Sequence, residues 1–232
     1  MDLASQKRVW IMSQKKHPLE KATEQEKVQF LSIVAVIAKA DKKVTDDEIA
    51  HLRKACKELG LSADGIGRVI AAAEEPEIVP VKAYIEGLRK SELRFTLVTD
   101  MLYLAHADSI YSDTEKKEIL SIAKQMGVNS DQVEAMEKYV KAVLKAAKSE
   151  VGSKEQWKKL GGEVAGGLAS AGVPIAAVAA SGSVLGLSAA GITSGLAALG
   201  LGLGMATGIG IAAAIGVASY FGIKWIYKKV VG

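Results

Sequence analysis

The chain has 232 residues, 49% of them hydrophobic, and a formal net charge of only +4 at pH 7. Lys224, Lys228 and Lys229 supply +3 of this charge, which leaves +1 for everything before residue 164. A nearly neutral domain lacks the basic footprint of a nucleic-acid-binding protein, so no nucleic acid is expected as a partner. The single cysteine, Cys56, excludes an internal disulfide and is predicted to be a core residue in a reducing compartment.

Residues 1–22 are predicted to form a basic N-terminal arm, and residues 23–148 a helical domain. Thr23 and Glu26 have the spacing of a capping box at the start of the first helix. Apolar residues then recur at helical spacing, without a convincing strand pattern, which predicts seven helices and an all-α fold. The seven apolar stripes begin at Val28, Ile49, Ile66, Val81, Leu97, Ile119 and Val133.

An internal repeat divides this domain. Residues 38–48 match residues 105–115 at an offset of 67, and the match continues without a gap to Gly60 and Gly127. Each glycine stands where a left-handed residue usually ends a helix. The repeat predicts a pseudo-twofold pair of helical units, in which capping boxes formed by Thr45 with Glu48 and by Ser112 with Glu115 open the corresponding helices.

The pattern Ala-x-Ala-Asp, followed by an apolar residue and then Thr/Ser-Asp-x-Glu, is used twice and resembles the tellurite-resistance TerB family. The resemblance covers about residues 24–148 and implies an all-helical domain without an established enzymatic activity. It also implies a place near bacterial membranes, in stress-response or phage-defence systems. The family's acidic turn residues, considered a metal site, correspond here to Asp41, Asp46, Glu48, Asp108, Asp113 and Glu115.

Two interpretations of these acidic turns remain open. Two turns related by a pseudo-twofold axis would offer oxygen ligands to a divalent cation such as Ca²⁺ or Mg²⁺. Alternatively, the acidic residues only cap helices and complement the helix dipole. No catalytic residues are predicted, because the three histidines show no ligand spacing and no strand precedes a glycine-rich loop. His106 corresponds to Lys39 in the repeat and is predicted to be exposed.

Residues 164–223 contain no Asp, Glu, Lys, Arg or His, and we call them the uncharged run. About 20 apolar residues span a bilayer, so 60 predict a membrane hairpin with arms at 164–187 and 195–223 and a turn at 188–194. Pro174 is expected to kink the first arm. Residues 149–163 are predicted to be a linker and residues 224–232 a basic, aromatic tail. The predicted membrane anchors, on both sides of the run, are Trp157, Lys158, Lys159, Lys224, Trp225, Tyr227, Lys228 and Lys229.

Small residues recur every four positions in the run, which predicts a glycine-zipper interface within the hairpin or between copies. The interface residues are Gly191, Gly195, Gly200, Gly204, Gly208 and Gly216. The alternative is that the whole run is buried as a hairpin inside a soluble helical protein.

The predicted function is therefore a non-enzymatic stress-response or phage-defence protein at the cytoplasmic face of the bacterial inner membrane. A sensing or docking domain is coupled to a Gly/Ala-rich hydrophobic helical hairpin that anchors or oligomerises in the bilayer. The expected partners are lipid, further copies of the chain, and proteins of the same system. The alternative is a pore-forming or membrane-disrupting effector that stays in the cytoplasm until activation inserts it.

Overall fold

The computed structural model describes residues 18–39, 46–107, 112–148, 154–179, 181 and 220–231. Every regular element in these ranges is helical, which confirms the all-α prediction. The α-helices are α1 (Pro18–Lys21), α2 (Glu24–Lys39), α3 (Asp46–Glu58), α4 (Ala63–Glu74), α5 (Val81–Gly87), α6 (Leu93–Ala107), α7 (Asp113–Gln125), α8 (Ser130–Lys148), α9 (Lys154–Ser170), α10 (Ile175–Ala179) and α11 (Tyr220–Val230). Short 3₁₀ turns, Pro76–Ile78 and Leu88–Lys90, flank α5.

Helices α2 to α8 coincide with the seven predicted apolar stripes. Helix α2 lies at the centre and packs against α4, α5 and α6, while α8 packs against α6 and α7. Residues 29–37 of α2 are buried all round the helix, as expected for a helix with neighbours on every side. Cys56 is fully buried and free, as predicted.

Side-chain caps define where several of these helices begin. The Thr23 backbone N–H donates to the Glu26 carboxylate over 2.8 Å, and the Glu26 N–H donates to the Thr23 hydroxyl over 3.2 Å. Ser112 and Glu115 form the same reciprocal box before α7. These contacts satisfy backbone donors that have no partner inside the helix, so these two predicted boxes are confirmed. Thr45 of the third predicted box lies outside the described residues.

The ends of α3 and α7 are alike. Gly60 has φ +74° and Gly127 has φ +71°, and each follows a helix of 13 residues. The Val128 N–H donates back to the Ala123 carbonyl over 2.9 Å, which closes the last turn in the manner of a Schellman motif. The predicted left-handed positions are therefore confirmed, while the pseudo-twofold arrangement of the two units stays a prediction.

We expect Gly127→Ala to lower the free energy of unfolding by about 1–2 kcal/mol, because a Cβ makes the left-handed conformation unfavourable. Gly67→Ala is the matched control, since a Cβ at Gly67 meets open space and the residue lies inside α4. That change should raise stability by about 0.5–1 kcal/mol. Urea unfolding of both variants measures the two effects. Equal effects of the two substitutions would contradict the assignment of strain to Gly127.

The hydrophobic core extends beyond the predicted domain boundary at residue 148. Helices α9, α10 and α11 contribute buried residues to the same cluster as α2 to α8, among them Leu168, Ala177 and Ile226. Helix α9 also runs through most of the predicted linker and into the uncharged run without a break. Both flanks of the run are thus packed on the helical domain.

Candidate functional site

The predicted acidic turns are only partly visible. Asp41 and Asp108 lie outside the described residues, and nothing is described of the Glu48 side chain. Asp46 and Asp113 are exposed at the first positions of α3 and α7. Glu115 is buried, and its carboxylate accepts hydrogen bonds from the backbone and side chain of Ser112, each over 2.8 Å. These bonds show Glu115 in a capping role.

No group of three or more potential ligand residues is arranged to hold a metal ion within the part of the chain that the structure describes. Since Asp41 and Asp108 lie outside that part, the divalent-cation site stays a prediction. The capping bonds of Glu115 use the carboxylate that a cation would need, so a metal would have to compete with Ser112 for it.

The predicted hairpin also falls mostly outside the described residues. The glycine-zipper positions Gly191, Gly195, Gly200, Gly204, Gly208 and Gly216 all lie there, as does the predicted turn at 188–194. Among the described helices, none is long and apolar enough to cross a bilayer. Trp157, Lys158 and Lys159 lie in α9, but nothing is described of their side chains.

The first flank of the uncharged run packs against the helical domain through α9 and α10. Val164 and Leu168 of α9 are buried where that helix lies on α8. Helix α10 packs on α6, and the buried Thr96 hydroxyl donates to the Ala177 carbonyl over 2.8 Å. Val178 is fully buried beside it. Residues predicted to face lipid thus contact protein here.

Pro174 does not kink a helix. Helix α9 ends at Ser170, and Gly172 follows with φ +70°, so the chain has left the helix before the proline. The Val173 N–H donates to the Leu168 carbonyl over 2.9 Å, which closes the helix end. The predicted kink is therefore wrong, because a glycine in the left-handed region terminates the helix two residues earlier.

The second flank of the run is the C-terminal helix α11, which packs against α2, α5, α6 and α7. Ile223, Ile226 and Val230 form its buried face and are at most 5% exposed. Their spacing of three and four residues places them on one side of the helix. Lys228 and Lys229 are exposed on the other side. Helix α11 is thus an amphipathic helix seated in a groove of the domain.

Glu77 binds two of the predicted membrane anchors, and we call this contact the Glu77 clamp. The Trp225 indole N–H donates to Glu77 Oε1 over 2.9 Å, and Lys229 Nζ lies 2.8 Å from Oε2. The Lys229 ammonium also lies 5.1 Å from the centre of the Trp225 ring. Hydrogen bonds from Lys229 and then from Trp225 hold the pKa of Glu77 below its usual range.

Glu118 of α7 is a second acidic residue beneath α11. Its side chain is buried, and among the described residues its Oε2 atom has no hydrogen-bond partner. Burial raises the pKa of this carboxyl, although the charges of Lys224 and Lys228 act in the opposite direction. Glu77 and Glu118 thus both lie close to the basic residues of α11, but only Glu77 forms a direct ion pair with one of them, Lys229.

We expect Glu118→Gln to stabilise the protein at neutral pH. A raised pKa means that the folded state binds the proton more tightly than the unfolded state, so the ionised carboxylate opposes folding above that pKa. The melting temperature should rise by about 2 °C near pH 7. This shift corresponds to an increase of about 0.5–1 kcal/mol in the free energy of unfolding for a chain of this size. The gain in melting temperature should disappear below about pH 4, where the glutamate is protonated and therefore as uncharged as the glutamine. A lower melting temperature at pH 7 would show that attraction to the lysines outweighs burial.

A buried carboxylate at Glu137 organises a second charged cluster, between α6, α7 and α8. Lys141 Nζ lies 2.5 Å from Glu137 Oε1, Lys116 Nζ lies 3.6 Å from Oε2, and His106 Nε2 lies 3.6 Å from Oε1. Burial opposes ionisation, but the Lys141 hydrogen bond and the charges of Lys141 and Lys116 prevail and hold the pKa of Glu137 below its usual range. Burial lowers the pKa of His106.

The His106 side chain is only 12% exposed, so the prediction of an exposed histidine is wrong. Position 106 faces the Glu137 carboxylate on α8. Sequence reasoning also missed Glu77, Glu118 and Glu137. Isolated glutamates carry no local signal of a distant cation, and Glu77 is separated from Trp225 by 148 positions.

Residues 27–138 match the family model described as "Tellurite resistance protein TerB". The match covers α2 to α7 and the first part of α8, and it leaves α9, α10 and α11 outside. Comparison with curated proteins and with solved structures gave no match.

Proposed function

We propose that this protein is a non-enzymatic stress-response protein of the tellurite-resistance-related class, because residues 27–138 match the TerB family model. We further propose that this TerB domain controls when the uncharged run enters the membrane. The proposal places the chain in the bacterial cytoplasm with its run docked, and at the inner membrane with its run released. The run is the acting part and the TerB domain the part that holds it.

The observation that carries this proposal is the docking of both flanks. Helices α9 and α10 hold the first flank through buried Leu168 and Ala177, and α11 holds the second through buried Ile226. A permanent anchor does not require its ends to be buried in a cytosolic core. Docking at both ends therefore favours insertion on activation over constant anchoring.

The composition of the run supports a balance between two states. Strongly apolar residues contribute roughly −0.3 to −0.6 kcal/mol each at the centre of a spanning helix, and the run is rich in Gly and Ala, which contribute less. Insertion of such a segment is marginal. A helix interface worth a few kcal/mol on the domain is then sufficient to compete with the bilayer.

Flotation with liposomes tests the proposal on the full chain. Ile226→Asp places a charge in the core beneath α11 and should release the second flank, so a larger fraction of this variant should float and resist alkaline carbonate. Adding Gly208→Lys to that variant should reduce the carbonate-resistant fraction, because a lysine at the centre of a spanning helix costs about 2.5–3.5 kcal/mol.

Two outcomes would overturn the proposal. Complete carbonate resistance of the unmodified chain would show a permanent anchor, and an Ile226→Asp variant that stays out of the membrane would show that the run is a soluble core element. Release of a trapped dye by the floating Ile226→Asp variant would assign the membrane-disrupting activity to the inserted run.

A further inference from the structure

The Glu77 clamp has the donor arrangement of a phosphate site. Trp225 and Lys229 are four residues apart on α11, so their side chains lie on the same side of the helix. Each of them binds a different oxygen of one carboxylate, over 2.9 Å and 2.8 Å. A phosphodiester likewise presents two non-bridging oxygens that share one negative charge. An indole N–H and an ammonium group are suitable donors for that anion.

We propose that Trp225 and Lys229 form a binding site for the phosphate of an anionic lipid headgroup, and that Glu77 occupies this site while α11 is docked. The inference rests on the proposed function, in which α11 meets the membrane. In the docked state the Glu77 carboxylate stands in for the headgroup phosphate. At an anionic membrane the phosphate replaces it on the same two donors.

The exposure of the clamp permits this exchange. The side chain of Glu77 is 71% exposed and that of Lys229 is 43% exposed, so a competing anion has access to the pair. Ion pairs at such positions contribute little to stability and are screened by salt. The apolar face of α11 lies apart from the clamp, because Ile223, Ile226 and Val230 are buried. The headgroup therefore displaces Glu77 without first removing these three residues from the core.

The environment of α11 favours a lipid surface over a free phosphate ion. Lys224, Lys228 and Lys229 lie within six residues of each other, and an anionic leaflet attracts each of these lysines. A single phosphate ion engages one site, whereas a vesicle presents many headgroups to all three lysines. Trp225 also has the side chain that favours the headgroup layer.

Fluorescence of Trp225 in the full chain provides the test. The chain has three tryptophans, so Trp10→Phe and Trp157→Phe leave Trp225 as the only reporter. This parent is titrated with vesicles of phosphatidylglycerol in phosphatidylcholine, and separately with phosphatidylcholine alone. Glu77→Gln should bind the anionic vesicles about fivefold more tightly than the parent, because the internal competitor has lost its charge. Adding Lys229→Ala to Glu77→Gln should reverse the gain.

The matched control is Glu74→Gln, which makes the same change of charge at an exposed residue at the end of α4. An equal gain in vesicle affinity from both glutamine variants would show that only the net charge matters, and it would contradict the proposed site. So would a gain that survives Lys229→Ala, or equal binding to uncharged vesicles. If millimolar inorganic phosphate changes the Trp225 fluorescence as much as the anionic vesicles do, the site binds a soluble phosphate and the proposal of a lipid headgroup is wrong.

Failure of this site can be distinguished from failure of the proposed function. Flotation of Ile226→Asp does not depend on Glu77, since that variant releases α11 through the core. If Ile226→Asp floats and Glu77→Gln behaves like the parent, the site is wrong and the proposed function stands. If neither variant associates with any vesicle, both are wrong.

Discussion

Ile226→Asp is expected to detach α11 from the domain while the rest of the helical core stays folded. Ile226 is 0% exposed, and removing a buried isoleucine side chain costs about 2–5 kcal/mol before any cost of burying a charge. Release of α11 avoids these costs, because the substituted side chain then leaves the core and meets water. The cheapest response to the substitution is therefore local undocking.

Hydrogen exchange followed by mass spectrometry measures this response. Amides of 220–230 should lose protection in Ile226→Asp, while amides of α6 and α8 keep theirs. Val231→Asp is the control. It also replaces a branched apolar side chain with aspartate, but at a position next to α11 that is 39% exposed. Retained protection in Ile226→Asp would contradict the docking of α11. Loss of protection throughout the domain would show that α11 is an inseparable part of the core.

The helical domain was predictable because its signals are local. The apolar stripes of α2 to α8 and the capping bonds of Ser112 with Glu115 each depend on residues within one or two turns. Such patterns fix where a helix begins and which side it buries. They do not fix which other helix covers that side.

The docking of the flanks was not predictable for the same reason. Uncharged residues such as Leu168 and Ala177 satisfy a bilayer and a protein core equally well, because both solvents lack water. Trp225 and Lys229 are typical of the membrane interface, yet Glu77 provides the same kind of polar partner from a distant part of the chain. Only the tertiary structure shows which of the two environments the described residues occupy.

This ambiguity has a functional consequence. A helix whose apolar face and basic rim suit both a groove and a membrane is suited to exchange between them, and the difference in free energy between the two states sets the population of each. Glu77 acts on that difference directly, because the two partners of its carboxylate, Trp225 and Lys229, both lie on α11. The clamp therefore favours the docked helix.

Glu137→Gln is expected to produce the largest loss of stability among the charged residues. Glu137 is 5% exposed and lies near Lys141 and Lys116, so its neutralisation leaves both lysines without their shared anion. Breaking a fully buried pair costs about 3–5 kcal/mol, and since Lys116 and Lys141 are half exposed we expect about 2 kcal/mol. Urea unfolding at neutral pH measures this loss.

Acid titration supplies a second test of the same cluster, because the pKa of Glu137 is lowered from its ordinary 4.5 in the folded state. Its stabilising contribution is therefore complete above about pH 4.5 and is lost as the pH falls through the lowered value. The lowered pKa of His106 acts in the same direction, since stability declines as the pH falls below the histidine's ordinary 6.5. Glu137→Gln should remove the decline in stability that is due to Glu137.

Glu134→Gln is the control on α8. Glu134 also pairs with a lysine four residues later, over 2.7 Å, but its side chain is 63% exposed. A Glu137 variant as stable as the Glu134 variant would show that the cluster contributes nothing beyond an ordinary surface pair.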